Sequence, residues 1–569
     1  MHEHRRRVVA TLIGATVIVA AGLALYAPTL HGEWMMDDDV LVTNNFAVKS
    51  GSWGHMAMLW LDPDGVDYFP LTYTAFWALW PLFELDTTGY HAVTILLHVI
   101  SGLLLWWLLA RMKIPGAWAA ALVFTIHPVC VESVAWIAEL KNTLSLPLFL
   151  ASCIAWVAQD DAGEGRRQKC LYAFSLTFFL LAMLAKPSMV AMPIVTLVYA
   201  WWKRGRLDAR DVVHAVPFFL VSIVLGLVTI FFQHGRAIGG EPLPIGGLDS
   251  RLALAGLTIF FYLATIVWPV NLLPVYPVWP IVPPALWQFL AWPAIVGAGW
   301  WMWQRRTTWG RHAIFAFGFF LLMIAPVLGL IDISYMRLTW VADHFLYVPM
   351  IGPIVLIVAA AATWLECLAP RQRAAGIAAG GIVAAALAAN TFLYAHEWVN
   401  EDRLWAYTLA RNNDAWIAHL RLGVRKMDRG DIDEAIDHFR NASRLRPELA
   451  ETKNNLGAAL IKKERYDEAI VVLEEALLVA KPLEGTRRSL AEAYCKTGRF
   501  AEARDLVAEL LKQDPTSLSL LTTNAIALFG LGEEQKGIEE IGRALALDPE
   551  YEPALQALEE MQEGVGRTP

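Results

Sequence analysis

Three consecutive carboxylates, Asp37, Asp38 and Asp39, stand just after the first long apolar run, Val8 to Leu25. Carboxylates beside a membrane helix are costly to desolvate, so they tend to face water or a partner. Crowding raises their pKa values, which suits general-base work on a hydroxyl. A solvated loop explains the three acids equally well on local chemistry alone. A second group lies between His127 and Asn142: if the stretch is helical, Glu132 and Glu139, seven apart, share a face, and Lys141 is a candidate partner for an anion. His127 precedes Pro128 and reads more readily as a structural cap than as a ligand. Lys186, before Pro187 in a tight turn, suits phosphate binding or snorkelling to the interface. One later loop holds Asp332, Tyr335, Arg337, Asp343, His344 and Tyr347. Arg337 is its best phosphate contact, because a guanidinium matches phosphate geometry. No P-loop, dinucleotide-binding glycine fingerprint, HExxH or GxSxG stands in a suitable context, which argues against a nucleotide-driven pump.

These groups work together only if the chain brings them to one face. Of 569 residues 56% are apolar, only 18% are charged, and 25 are Trp, a membrane composition. The net charge of −8 argues against a nucleic-acid binder. Five cysteines without a CxxC pair indicate neither a disulfide framework nor a zinc site. The first apolar run reads as an uncleaved span rather than a signal peptide. Candidate spans cover 8–28, 91–110, 116–128, 143–158, 171–185, 188–202, 213–231, 283–303, 312–330, 345–365 and 374–393. A further run, 252–268, is ambiguous. With the N-terminus inside, Arg111, Lys113, Arg166, Arg167, Lys169, Lys203, Arg204 and Arg206 all fall inside. Arg305, Arg306, Arg311, Arg371 and Arg373 join them only if 252–268 does not cross. The reading adopted is therefore eleven spans, N-terminus cytoplasmic and C-terminus outside. The outer face then carries loops 31–90, 232–282 and 331–344, with the acids, and the whole tail.

The tail has a different period. Small residues recur at Gly423, Gly457, Ala491 and Ala525, and again at Ala435, Ala469, Ala503 and Gly537. Trp416, Leu422, Gly423, Ala435, Phe439, Ala442 and Pro447 follow the tetratricopeptide consensus in order. The predicted fold is all-α: a polytopic membrane domain over 1–395, a linker over 396–415, four repeats over 416–551, and a capping helix and tail over 552–569. Such an array makes a groove suited to a peptide or protein; a spacer or oligomerisation module is the blander reading.

The motifs resemble those of the transmembrane and tetratricopeptide-repeat O-mannosyltransferases and their bacterial relatives. The matching blocks are Asp37-Asp38 with Val42-Thr-Asn-Asn45, Tyr68-Phe-Pro-Leu-Thr72, Gly89-Tyr-His91 through His98, His127-Pro through Trp136, Lys186-Pro187, Pro326-Val-Leu-Gly329, and Ala342-Asp343 through Pro349. The sequence departs from the bacterial pattern at Cys130, Leu140, Asn142 and His344. The resemblance implies a GT-C glycosyltransferase fold and a polyprenyl-phosphate sugar as lipid donor. The acceptor would be extracytoplasmic, plausibly a protein recruited by the repeats. Carried onto this chain, Asp37 and Asp38 would activate the acceptor hydroxyl and Glu132 would lie near the sugar. By charge and position, His127, Glu139, Lys141, Lys186, Arg337, Asp343, His344 and Tyr347 are the candidates for holding donor phosphate or sugar. A divalent cation at Asp37-Asp38 is conceivable, since hard cations favour carboxylates, but no complete ligand set is visible and no metal site is assigned. A membrane-anchored repeat scaffold for envelope assembly is the alternative, and a lipid-precursor transporter a third reading.

Overall fold

The computed structural model describes residues 2–61, 67–238, 243–479 and 483–565. It divides into two compact units, residues 1–412 and 413–569. The predicted linker is not one. Glu401–Leu409 is a helix, started by the Asn400 side chain accepting the Arg403 N–H, and it buries Leu404 and Trp405 within the first unit.

Among the described residues, eight helices of the first unit are long and apolar enough to cross a membrane. The unit is a multi-pass membrane domain. Two of its long helices start where polar side chains serve the backbone. Asp86 accepts the Thr88 N–H at the start of Thr87–Arg111, and Asp208 and Asp211 form a reciprocal capping box at the start of Ala209–Phe232. Leu140–Asp161 and Arg166–Ala185 pack side by side, with Ser152 and Ser175 each donating its hydroxyl to the other's carbonyl at 2.7 and 2.9 Å. Exchanges of this kind replace the water that lipid cannot supply.

Four predicted spans are shorter than expected. They form the helices Ala117–Thr125, Met192–Arg204, Ala291–Gln304 and Ile351–Glu366, of 9, 13, 14 and 16 residues. At about 1.5 Å per residue, none reaches the roughly 30 Å of a hydrocarbon core alone. The ambiguous run is a full helix, Leu248–Val267, whose 20 residues are long enough to cross. Both of its ends are anchored by hydrogen bonds to other segments. Arg251 bonds the Gly329 carbonyl and the Asp332 carboxylate, while the Ile266 carbonyl accepts from His127 Nε2.

The second unit consists of helix pairs 416–429 with 432–445, 450–462 with 466–477, 484–496 with 500–513, and 518–530 with 534–547, followed by Glu552–Val565. The small consensus residues sit where partner helices touch. A Cβ at Gly423 would lie 2.6 Å from the Phe439 ring, and one at Gly457 would lie 2.5 Å from Leu473. Gly457→Leu should therefore overpack the second repeat by about 1–3 kcal/mol. The effect should appear as a lower unfolding midpoint for the repeat unit in differential scanning calorimetry of the full chain.

Candidate functional site

The three adjacent aspartates have three different environments. Asp38 is fully buried: one carboxylate oxygen accepts the Met35 N–H at 2.9 Å and the other the Ala138 N–H at 2.6 Å. Burial, reinforced by Asp37 and Asp39, pushes its pKa well up against the pull of those two donors. Asp39 turns back to accept the Val40 N–H at 2.8 Å. Asp37 alone is exposed. This corrects the expectation that Asp37 and Asp38 act as a pair. With one backbone donor on each oxygen, Asp38 fixes the first loop onto the segment carrying Glu139. Among the described residues no group of three or more His, Cys, Asp or Glu is placed to hold a metal.

Asp38→Ala should act through stability, because it orphans two buried N–H groups at about 1–3 kcal/mol each. The check is the unfolding midpoint in detergent, where Asp38→Asn should fall between alanine and wild type.

The loop is also held from the C-terminal side of the membrane unit. Met36 adopts a left-handed backbone, φ 50°, and gives its N–H to Glu401 at 2.8 Å. The Glu33 N–H bonds the Val399 carbonyl at 2.9 Å. Glu401 is a positioning residue that sequence reasoning missed, since nothing local relates it to residue 36.

Glu139 anchors the cationic side of the site. It is buried, with Lys141 Nζ at 2.9 Å and Lys186 Nζ at 3.4 Å on its two oxygens. Asn142 donates to the same carboxylate at 2.6 Å and to the His344 carbonyl at 3.1 Å. The Lys141 ammonium also lies 5.5 Å from the Phe69 ring and 5.9 Å from the Trp136 ring. Burial pulls the pKa of Lys186 below the ordinary lysine range, partly offset by Glu139. Glu132 makes a separate buried pair with His344, accepting its backbone N–H at 2.8 Å and facing Nδ1 at 2.9 Å. Asp343 accepts the Tyr276 hydroxyl at 2.7 Å; burial and then the Glu132 charge push its pKa up.

Tyr335 joins these groups. Its hydroxyl donates to the Pro274 carbonyl at 2.8 Å and lies 3.5 Å from Glu132, and its ring meets His344 edge to face at 4.8 Å. Burial raises its pKa, and the charges of Glu132, Glu139, Asp37 and Asp343 reach it in turn. Asp67, next to the Tyr68-Phe-Pro block, is another group that sequence reasoning missed. It accepts from Gln233 and lies within reach of the charges of Lys141, Asp37 and Lys186. Asp37, Asp67, Glu132, Glu139, Lys141, Lys186, Asp343 and His344 thus come together at one end of the bundle.

Three candidates do not join them. His127 is buried and closes structure, its Nε2 against the Ile266 carbonyl and its Nδ1 accepting the Val129 N–H at 3.3 Å. Tyr347 is buried with its hydroxyl 2.8 Å from His98 Nδ1, a link between the helix Thr87–Arg111 and the last loop. Arg337 donates to the Ile238 carbonyl.

The tetratricopeptide repeat family model matches residues 426–482. Protein O-mannosyl-transferase TMTC1 of Mus musculus is 28% identical over 205 residues, 32% of this chain and 22% of that protein. TMTC2 of Homo sapiens is 25% identical over 282 residues, 45% of this chain and 33% of that protein. Protein O-mannosyl-transferase F38B6.6 of Caenorhabditis elegans is 24% identical over 197 residues, 32% and 27% of the two chains. The chain spans about a fifth to a third of the length of these curated relatives. Among solved structures, the tetratricopeptide-repeat protein YrrB is 22% identical, covering 28% of this chain and 84% of that one at a TM-score of 0.26. Similarity to several such transferases, together with repeats of its own, makes this chain a distant relative of the TMTC protein O-mannosyl-transferases.

Proposed function

We propose that the chain is a GT-C-type membrane glycosyltransferase that moves a sugar, mannose by kinship, from a polyprenyl-phosphate donor to a protein hydroxyl outside the cytoplasm. The observation that carries this reading is the pairing of one exposed acid, Asp37, with a buried Lys141–Glu139–Lys186 cluster at the same end of the bundle. Lys141 and Lys186, held by Glu139 with Asp67 nearby, supply two fixed ammonium groups for a phosphate. The acceptor oxygen attacks the anomeric carbon, the carbon–oxygen bond to phosphate breaks, and polyprenyl phosphate leaves with the electron pair. Asp37 takes the hydroxyl proton. Lys141 and Lys186 stabilise the charge that grows on the leaving phosphate, which is how fixed cations lower such barriers. The Glu132–His344 pair, with Tyr335, forms the polar wall beside the sugar. The repeats recruit the acceptor protein, on the topology that leaves the acidic loops and the tail on one side.

The test is transfer of label from radiolabelled polyprenyl-phosphate sugars by purified protein in native membrane extract. Label reaching protein with wild type, but not with Asp37→Asn, supports the reading. No transfer with any donor, from folded protein, would leave the repeats as a membrane-anchored docking array.

The pH profile gives a second check. Lys186 loses its proton below the ordinary lysine value of about 10.4, because burial disfavours its charged form. Transfer should therefore fall on the alkaline side earlier than an ordinary lysine would dictate. Lys186→Arg, which stays charged, should move that limb to higher pH.

A further inference from the structure

A cavity among the described residues lies away from the acidic loops. It measures about 1200 Å³ and opens between the helices Thr87–Arg111, Leu140–Asp161, Met192–Arg204, Gly310–Ile324 and Ile351–Glu366. It shares no lining residue with Asp37, Glu132, Glu139, Lys141 or Lys186. Arg111 lies twenty residues beyond His91, which itself packs at Gly32 in the first loop. That separation is about 30 Å along a helix, the thickness of a hydrocarbon core.

The cavity is amphipathic. Its walls are apolar, with Phe149 and Phe319 in ring contact. Arg111, Lys113, Lys203 and Arg311 line it against a single carboxylate, Asp161. Asp161 is already shared by Arg111 at 3.1 Å and Lys203 at 2.7 Å, and Lys203 also takes Asp160. Neither Lys113 nor Arg311 has a carboxylate partner among the described residues, and the buried Arg311 Nε has no hydrogen-bond partner among them. A buried guanidinium nitrogen without an acceptor is costly unless an anion completes it.

We propose that this cavity holds an anionic diacyl phospholipid of the phosphatidylglycerol class. Its acyl chains occupy the apolar interior, and its phosphate completes Arg311 and Lys113. The volume exceeds the roughly 300–1,000 Å³ of ordinary small-molecule pockets, as a chain-bearing ligand requires. The excess of cations selects the charged headgroup; basic pockets between transmembrane helices recognise lipids in this way. The site is separate from the proposed donor site at the other end.

The experiment is native mass spectrometry of the full chain, delipidated in detergent and then offered phosphatidylglycerol or phosphatidylcholine with the same acyl chains. Wild type should retain phosphatidylglycerol preferentially. Lys113→Gln, at an exposed position, should weaken that retention about fivefold, and Lys113→Gln with Arg311→Gln about thirtyfold, from roughly 1 kcal/mol per cation. Phosphatidylcholine should be unaffected by either. Ala359→Trp, which fills the cavity from the helix Ile351–Glu366, should remove both lipids. Equal retention of the two lipids by wild type, or undiminished phosphatidylglycerol in the Lys113→Gln protein, would overturn the proposal. So would displacement of the lipid by millimolar inorganic phosphate, which would identify the occupant as a free anion.

Discussion

Asp37→Asn should reduce sugar transfer by about 10²- to 10⁴-fold, the usual contribution of a positioned general base, with the unfolding midpoint unchanged. The argument rests on the contrast between neighbours. Asp37 is exposed, whereas Asp38 spends both oxygens on backbone N–H groups. The asparagine keeps shape and polarity but cannot take a proton, so the loss should fall on kcat and leave the donor KM nearly unchanged. The acid limb of the wild-type pH profile should disappear from the residual activity. If Asp37→Asn transfers normally while Asp38→Asn does not, the assignment of the two roles is reversed.

Glu139→Ala should be the most destabilising single change in the site. It removes the carboxylate that ion-pairs with both Lys141 and Lys186, whose side chains are only 15% and 13% exposed. Breaking a buried ion pair from one side costs about 3–5 kcal/mol, because the remaining charge keeps its desolvation penalty without its partner. Here two ammonium groups would face each other. The expected readout is a large fall in unfolding midpoint together with loss of transfer. A double-mutant cycle isolates the cause. Lys186→Met in the Glu139→Ala background should restore part of the stability, since it removes one uncompensated charge. Transfer should not return, because the donor phosphate would still lack a lysine. Additive losses of stability would mean that the three groups do not act as a cluster.

The way the site is assembled explains why some of its members were readable early. Asp37, Glu132, Glu139, Lys141 and Lys186 are charged residues set among apolar runs, and charge is costly near lipid unless it has a task. That cost makes them visible in a string of letters. Asp67, Glu401 and Gln233 lie in polar surroundings, where a carboxylate or amide is ordinary. Only the folded chain places Glu401 on the N–H of Met36 or Asp67 within reach of Lys141. Tyr347 and His127 show the converse. Both stand in motif-like blocks, yet each spends its polar atoms on a structural hydrogen bond.

The sequence by itself determined the elements whose physics is local. Apolar runs bounded by caps become membrane helices, and small residues repeating down the tail become helix pairs, because hydrophobic length and close approach are properties of consecutive residues. The tertiary structure alone decided which of three adjacent aspartates is exposed. It also decided that residues 396–412 pack as part of the membrane unit, and that Leu248–Val267 is tied at Arg251 to Gly329 and at Ile266 to His127. Those outcomes depend on partners as far apart in sequence as Asp38 and Ala138, or Met36 and Glu401. A carboxylate's role follows from which N–H groups and ammonium groups surround it, and no stretch of neighbouring residues carries that information.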